Sequence, residues 1–129
     1  MRVRQFDELT LTVRDRDHSV RWYHEVFDLP IVHLADGRSG VMAGKQEIIF
    51  QTLDHLPTKT ATEPAIGSAQ FALIVRDKVE DVLDHFNNYM VQVVVAPHDE
   101  ERAHGMATVM TIYDLDQNLI DIVIYHDYH

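Results

Sequence analysis

The groups able to do chemistry in this chain are carboxylates, imidazoles, hydroxyls and guanidinium groups, because cysteine is missing altogether. Disulfides, thiolate metal centres and cysteine nucleophiles are therefore excluded. Nine histidines are many for 129 residues, but their spacing rarely lets them converge. His18 and His24 fall in one helical pattern without the i, i+4 spacing that puts two rings on one face, and His85 lies in a second such pattern. His33 and His55 stand alone, and His126 and His129 belong to a terminal tail. His98 and His104 can meet across the segment DEERAHG, as a surface pair. No glycine-rich phosphate loop, nucleophile elbow or His-Glu-x-x-His pattern occurs, so nucleotide-dependent and serine-hydrolase chemistry drop out and no nucleotide cofactor is expected. Acid–base and hard-ligand chemistry remain. The first candidate for it is Glu8, a carboxylate heading the alternating stretch FDELTLTVRD.

Side chains of a strand point alternately to its two faces, so Leu9, Leu11 and Val13 share one face while Glu8, Thr10 and Thr12 share the other. The same pattern recurs in Gln70-FALIVRD, where Val75-Arg76-Asp77 repeats Val13-Arg14-Asp15. Here Phe71, Leu73 and Val75 form the apolar face and Gln70 takes the place of Glu8. A helical pattern comes after each copy, carried by Val20, Tyr23, His24 and Phe27 in the first and by Val79, Val82, Leu83, Phe86 and Tyr89 in the second. The apolar faces pack on these helices. Glu8 and Gln70 are thus equivalent, and both point away from them.

Each copy then turns to short strands, at about 30–34, 39–43 and 47–53 in the first half and 92–96, 107–113 and 119–125 in the second. Asp36-Gly37 and Gly44-Lys45 supply turns between those of the first half. The aperiodic stretch 54–67, with Pro57 and Pro64, reads as a linker. The expected fold is α+β: one domain over 1–129, built of two βαβββ modules at about 5–53 and 68–126. A hydrophobic content of 46% allows a real core. The formal charge of -10 opposes binding to nucleic acid or anionic membranes, and favours a neutral or cationic small partner. The beginning of the chain lacks the apolar run of a signal peptide, and no run of 18 apolar residues occurs, so a soluble cytoplasmic protein is expected.

Two copies of strand, helix and three strands, each headed by a polar residue, resemble the vicinal oxygen chelate superfamily. Glyoxalase I, fosfomycin resistance proteins, extradiol dioxygenases, methylmalonyl-CoA epimerase and bleomycin-binding proteins belong to it. LTVRDRDHSVRWYHEVFDLPIV is similar to its first strand and helix, GSAQFALIV to the opening of its second module and DLDQNLIDI to its last turn and strand. AGKQEIIFQ and PAIGSAQFALIV look most like the small glyoxalase-domain-5 type proteins. The resemblance implies a curved mixed sheet whose concave face holds a divalent metal, with Glu8, Gln51, Gln70 and Asp121 at the ligand positions. Histidine is usual at the position of Glu8 or Gln70 and glutamate at that of Asp121, and this chain has neither. Such an all-oxygen set suits Mn²⁺ or Mg²⁺ better than Zn²⁺, and cannot assemble the two-histidine, one-carboxylate iron site of a dioxygenase. If the metal has been lost, Glu8 and Asp121 remain as a catalytic base and acid, their pKa values split by proximity. The turn DLDQN lacks the family's glycine, which leaves Gln117 or a neighbour to accept a positive φ.

By the same resemblance Thr10, Thr111 and Tyr113 line the concave face, and Arg102 and His104, in the segment before the seventh strand, reach toward a substrate. Arg102 suits an anionic group as a bidentate donor, although a segment of this composition is ordinarily a solvated loop. The expected function is a glyoxalase- or fosfomycin-resistance-like enzyme of the lyase, isomerase or transferase type. It would act on a small oxygenated metabolite by metal-assisted or carboxylate-mediated proton transfer or addition. The alternative is a bleomycin-type resistance protein that binds a cationic ligand without chemistry. Small members of the family pair as homodimers, with the cup shared between chains.

Overall fold

The structure, a computed structural model, describes residues 1–128, so His129 lies outside it. The chain divides into two compact units, Met1–Gly67 and the remainder from Ser68. In the first, β1 (Glu8–Thr12) leads to α1 (Arg16–Phe27), then β2 (Ile31–His33), β3 (Ser39–Ala43) and β4 (Gln46–Gln51). In the second, β5 (Gln70–Ile74), α2 (Val79–Asn88), β6 (Val93–Arg102), β7 (Gly105–Tyr113) and β8 (Leu119–Tyr125) repeat the order. Each unit is a four-stranded mixed sheet, ordered β1-β4-β3-β2 and β5-β8-β7-β6, with only the β1/β4 and β5/β8 pairs parallel. This is the expected α+β, twice-repeated βαβββ architecture.

The helices begin differently despite the repeated Val-Arg-Asp. Asp15 caps α1 by accepting a hydrogen bond from the His18 backbone at 3.0 Å, which satisfies one of the orphan donors of a first turn. In α2 the cap position falls one residue later, on Lys78, which makes no side-chain cap bond. Buried Val20, Tyr23 and Val26 face the sheet in the first unit, where the Tyr23 ring lies 5.0 Å from that of Phe50. Leu11, Val13, Val41 and Ile48 complete this core, and Val82, Phe86, Met110, Ile112, Ile120 and Ile122 are buried in the second unit.

Strand β6 is longer than its pattern predicts. The sequence places a strand at 92–96 and reads DEERAHG as a loop, but β6 runs through Arg102 and turns at Ala103-His104 into β7. Four charged residues in succession look like solvated loop, yet on an edge strand both faces can carry charge and Pro97 loses no partner. Register shifts between Val93 and Val95 and between Val95 and His98 set the phase of the rest of the strand, with His98, Glu100 and Arg102 paired to Val109, Ala107 and Gly105. The face opposite α2 is also less wet than a polar site would be throughout: Ala107, Val109 and Val123 are buried there as one cluster, with Tyr125 against it.

The turn into β8 is built from side chains. Asp114 Oδ1 accepts from the backbone N–H groups of Asp116 and Asn118, each at 2.9 Å, and Oδ2 accepts from Asn118 Nδ2 at 2.9 Å. Asn118 Oδ1 in turn accepts from the Ala69 backbone at 2.9 Å, which ties the entry of β5 to the entry of β8. Gln117 sits at φ 70, in the left-handed region where glycine is preferred.

Candidate functional site

Strand pairing brings Asp121 opposite Thr111 and beside Ala72, on the face of the second sheet that turns away from α2. Its two carboxylate oxygens have separate partners. Oδ1 accepts from the Thr111 hydroxyl at 2.6 Å, and Oδ2 accepts from Arg102 Nη1 at 3.2 Å. The same Nη1 donates to Glu100 Oε2 at 3.3 Å, while Glu100 Oε1 meets His98 Nε2 at 2.8 Å. The result is a continuous chain from His98 through Glu100, Arg102 and Asp121 to Thr111. Its centre is half-hidden, with side-chain exposures of 24% for Arg102 and 19% for Asp121, against 45% for His98.

The charges fit this arrangement. Burial works against the Arg102 guanidinium, but its hydrogen bonds to Asp121 and Glu100 outweigh that and raise its pKa. For His98, the backbone carbonyl of Ala96 first and the Glu100 carboxylate second raise the imidazole above its ordinary value of 6.5. A raised folded-state pKa means that the His98–Glu100 ion pair contributes in full below the unfolded pKa and is lost as pH rises through the folded one. An NMR titration of the His98 ring is therefore expected to show a midpoint above 6.5, and Glu100→Gln is expected to lower it. An unchanged midpoint in that variant would remove Glu100 as a cause.

A related cluster lies in the first unit. Arg38 Nε donates to Asp36 Oδ2 at 2.8 Å and Nη1 to Glu8 Oε2 at 3.4 Å. Glu47, the register partner of Glu8 on β4, has Oε2 buried without a hydrogen-bond partner. The Asp36 pKa is lowered, first by the Arg38 backbone N–H.

The other residues expected at the site are dispersed. Gln51 pairs with Thr12, whereas Glu8 pairs with Glu47, so Glu8 and Gln51 are four positions apart along parallel strands, about 13 Å at the usual rise. Gln51 Nε2 donates instead to Thr12 at 3.0 Å and Thr60 at 3.2 Å. Gln70 pairs with Leu119 and lies one diagonal from Asp121, exposed on β5. Thr10 is exposed with its hydroxyl 3.5 Å from Glu8 Oε1, and Tyr113 stands exposed at the end of β7, in phase with Thr111. His98 and His104 do not pair. His98 joins Glu100, while His104 stacks on Tyr128 at 4.5 Å because the β6–β7 turn carries it beyond the strand. Glu100, His98, Arg38 and Glu47 are the members that sequence reasoning missed.

A divalent cation does not fit these donors as they stand. Glu8 and Asp121 each already have a guanidinium on a carboxylate oxygen, and Gln51 lies four positions along the strands from Glu8. Among the described residues no three His, Asp or Glu side chains form a metal-ligating group. The second unit's cluster offers instead a carboxylate fixed by a hydroxyl and a guanidinium. Only Nη1 of Arg102 is used in these contacts, which leaves Nη2 and Nε as donors for another oxygen.

The two repeated mixed sheets set the fold class to which relatives can be compared. The family model of the Glyoxalase/Bleomycin resistance protein/Dioxygenase superfamily matches residues 5–122, and the chain belongs to that superfamily. A glyoxalase domain-containing protein of Mycosarcoma maydis is 27% identical, over 97% of this chain and 70% of its own length. A virulence protein of Salmonella typhimurium is 29% identical, over 97% of this chain and 87% of its own. The crystal structure of that virulence protein matches with a TM-score of 0.92, covering 97% of this chain and 99% of the other. Lactoylglutathione lyase of Agrobacterium tumefaciens shares the fold, with a TM-score of 0.70 at 20% identity over 93% of this chain and 92% of its own.

Proposed function

We propose that the chain is an enzyme of the glyoxalase kind in which Asp121 moves a proton on a small oxygenated metabolite. The observation that carries this is Asp121 held between Thr111 and Arg102 on the face away from the helix. Asp121 takes a proton from a carbon beside a carbonyl, and the charge that develops falls on the carbonyl oxygen. Protonation weakens the hold of Asp121 on Arg102, so the guanidinium is released toward the developing oxyanion at the moment it is needed. Thr111 keeps the carboxylate oriented throughout. Returning the proton to the neighbouring carbon gives an isomerase, and expelling a leaving group gives a lyase.

In the first unit Glu8, held by Arg38, is the corresponding acid–base carboxylate, with Thr10 beside it. Tyr113 and Gln70 border the Asp121 face. An open cleft of about 340 Å³ lined by Ile74, Val75, Arg76, Ile124, Tyr125 and Tyr128, of mixed polarity, offers space for part of a substrate, with His104 stacked on its Tyr128 wall. A metal-assisted version would use Mn²⁺ or Mg²⁺ before Zn²⁺ on these oxygen donors, and would require both arginines to let go. Turnover of lactoylglutathione and short 2-oxo acids, monitored by NMR in the presence of a chelator, tests the proposal. Conversion that survives the chelator supports it, and no conversion of any of the panel counts against it.

Two copies of the chain are proposed to pair as a homodimer, as the resemblance implies. Among the described residues no helix is long and apolar enough to cross a membrane. A second reading, capture of a cationic ligand without chemistry, is favoured by charge: Glu8, Asp36 and Glu47 surround a single Arg38, and the whole chain carries -10. Calorimetry with bleomycin-like cations against anionic metabolites separates the two readings, since an anion preference argues against capture.

A further inference from the structure

We propose that Arg102 is a built-in cation: its guanidinium occupies the carboxylate oxygens of Glu100 and Asp121 that would otherwise be open to a divalent metal. Each of those carboxylate oxygens has a partner. Glu100 Oε1 faces His98, Asp121 Oδ1 accepts from Thr111, and the two remaining oxygens converge on Arg102 Nη1 from 3.3 and 3.2 Å. A metal would need its oxygens at about 2.0–2.2 Å, and the guanidinium nitrogen already stands against both of these oxygens, so a second cation is kept out while Arg102 stays. Deleting the guanidinium leaves two carboxylates without their cation, and His98 within reach of one of them. Two carboxylates and an imidazole are a set that first-row divalent ions accept.

The first unit repeats the device independently. Arg38 precedes β3 as Arg102 precedes β7, and each arginine bonds the acidic residue two positions before it, Asp36 in one case and Glu100 in the other. Each also bonds a carboxylate of the sheet's parallel pair of strands, Glu8 on β1 or Asp121 on β8. Those are the two carboxylates that the resemblance assigns to metal. The same solution in two units of different sequence argues for a role rather than an accident of surface pairing.

The inference uses the same cluster as the proton-transfer reading but does not depend on turnover. Arg102→Met, dialysed against chelator and titrated with Mn²⁺, is expected to bind one ion per chain at least about tenfold more tightly than wild type, with a melting temperature that rises on loading. Arg102→Lys keeps a cation in place and is expected to bind Mn²⁺ no more tightly than wild type, and Asp121→Asn added to Arg102→Met is expected to cancel the gain. Arg102→Gln replaces the Met variant if that chain fails to fold. Wild type binding Mn²⁺ as tightly as the variant, or a folded variant that binds none, overturns the inference. Loss of turnover without any change in these titrations would remove only the proton-transfer reading.

Discussion

Asp121→Asn is expected to lower turnover by about 10²–10⁴-fold, the range that a positioned general base contributes. The amide keeps an oxygen for the Thr111 hydroxyl but cannot take a proton, so the geometry survives while the chemistry fails. Arg102 retains Glu100 as its partner. The stability cost is therefore expected to be small, about 1 kcal/mol, since the lost ion pair is only partly buried. Steady-state kinetics with thermal melts separate the two effects. A fall in turnover matched by collapse of the melting temperature would mean that Asp121 is a structural residue.

The largest effect on stability is expected at Asp114, which lies 4% exposed, with Asn118 at 1%. Asp114→Ala strips the partner from two backbone N–H groups and from the Asn118 amide at once, which is expected to cost about 3–5 kcal/mol. For a chain of this size that lowers the melting temperature by roughly 10–20 °C. The damage extends to function, because Asn118 holds the Ala69 backbone and so fixes where Gln70 enters the sheet beside β8. Asp114→Asn, which keeps the Oδ1 acceptor and offends only the Asn118 amide, is expected to lose less. Equal loss in the two variants would show that the carboxylate charge, not its hydrogen-bond geometry, stabilises the turn.

The fold was legible because its signals are local and repeated. Alternation in LTLTV and FALIV, each leading into a helical pattern and three short strands, specifies the same unit twice, and parity alone put Glu8, Thr10 and Gln70 on the face away from the helices. Asp121 and Thr111 were legible for the same reason, since β7 and β8 are regular and their register pairs these two directly. Parity failed where the ladder is irregular. The shifts before His98 and the charged run through Arg102 concealed a strand, and with it Glu100 and the link from Arg102 to Asp121. Gln51 shows the other limit: alternation gives the face but not the height along the strand, and β1 meets β4 in a register that pairs Gln51 with Thr12 rather than with Glu8. Ion pairing across strands has no sequence period at all. The acidic residue two positions before Arg38 or Arg102 is visible in the sequence, but nothing in the spacing announces that they also reach Glu8 and Asp121.

The most direct measurement of the central claim is wash-in of solvent deuterium at the carbon beside the carbonyl of a bound 2-oxo metabolite, observed by proton NMR in D₂O with chelator present. The account predicts exchange by wild type that chelator does not diminish and that Asp121→Asn abolishes. Exchange that stops when metal is removed, or that continues undiminished in Asp121→Asn, would contradict it.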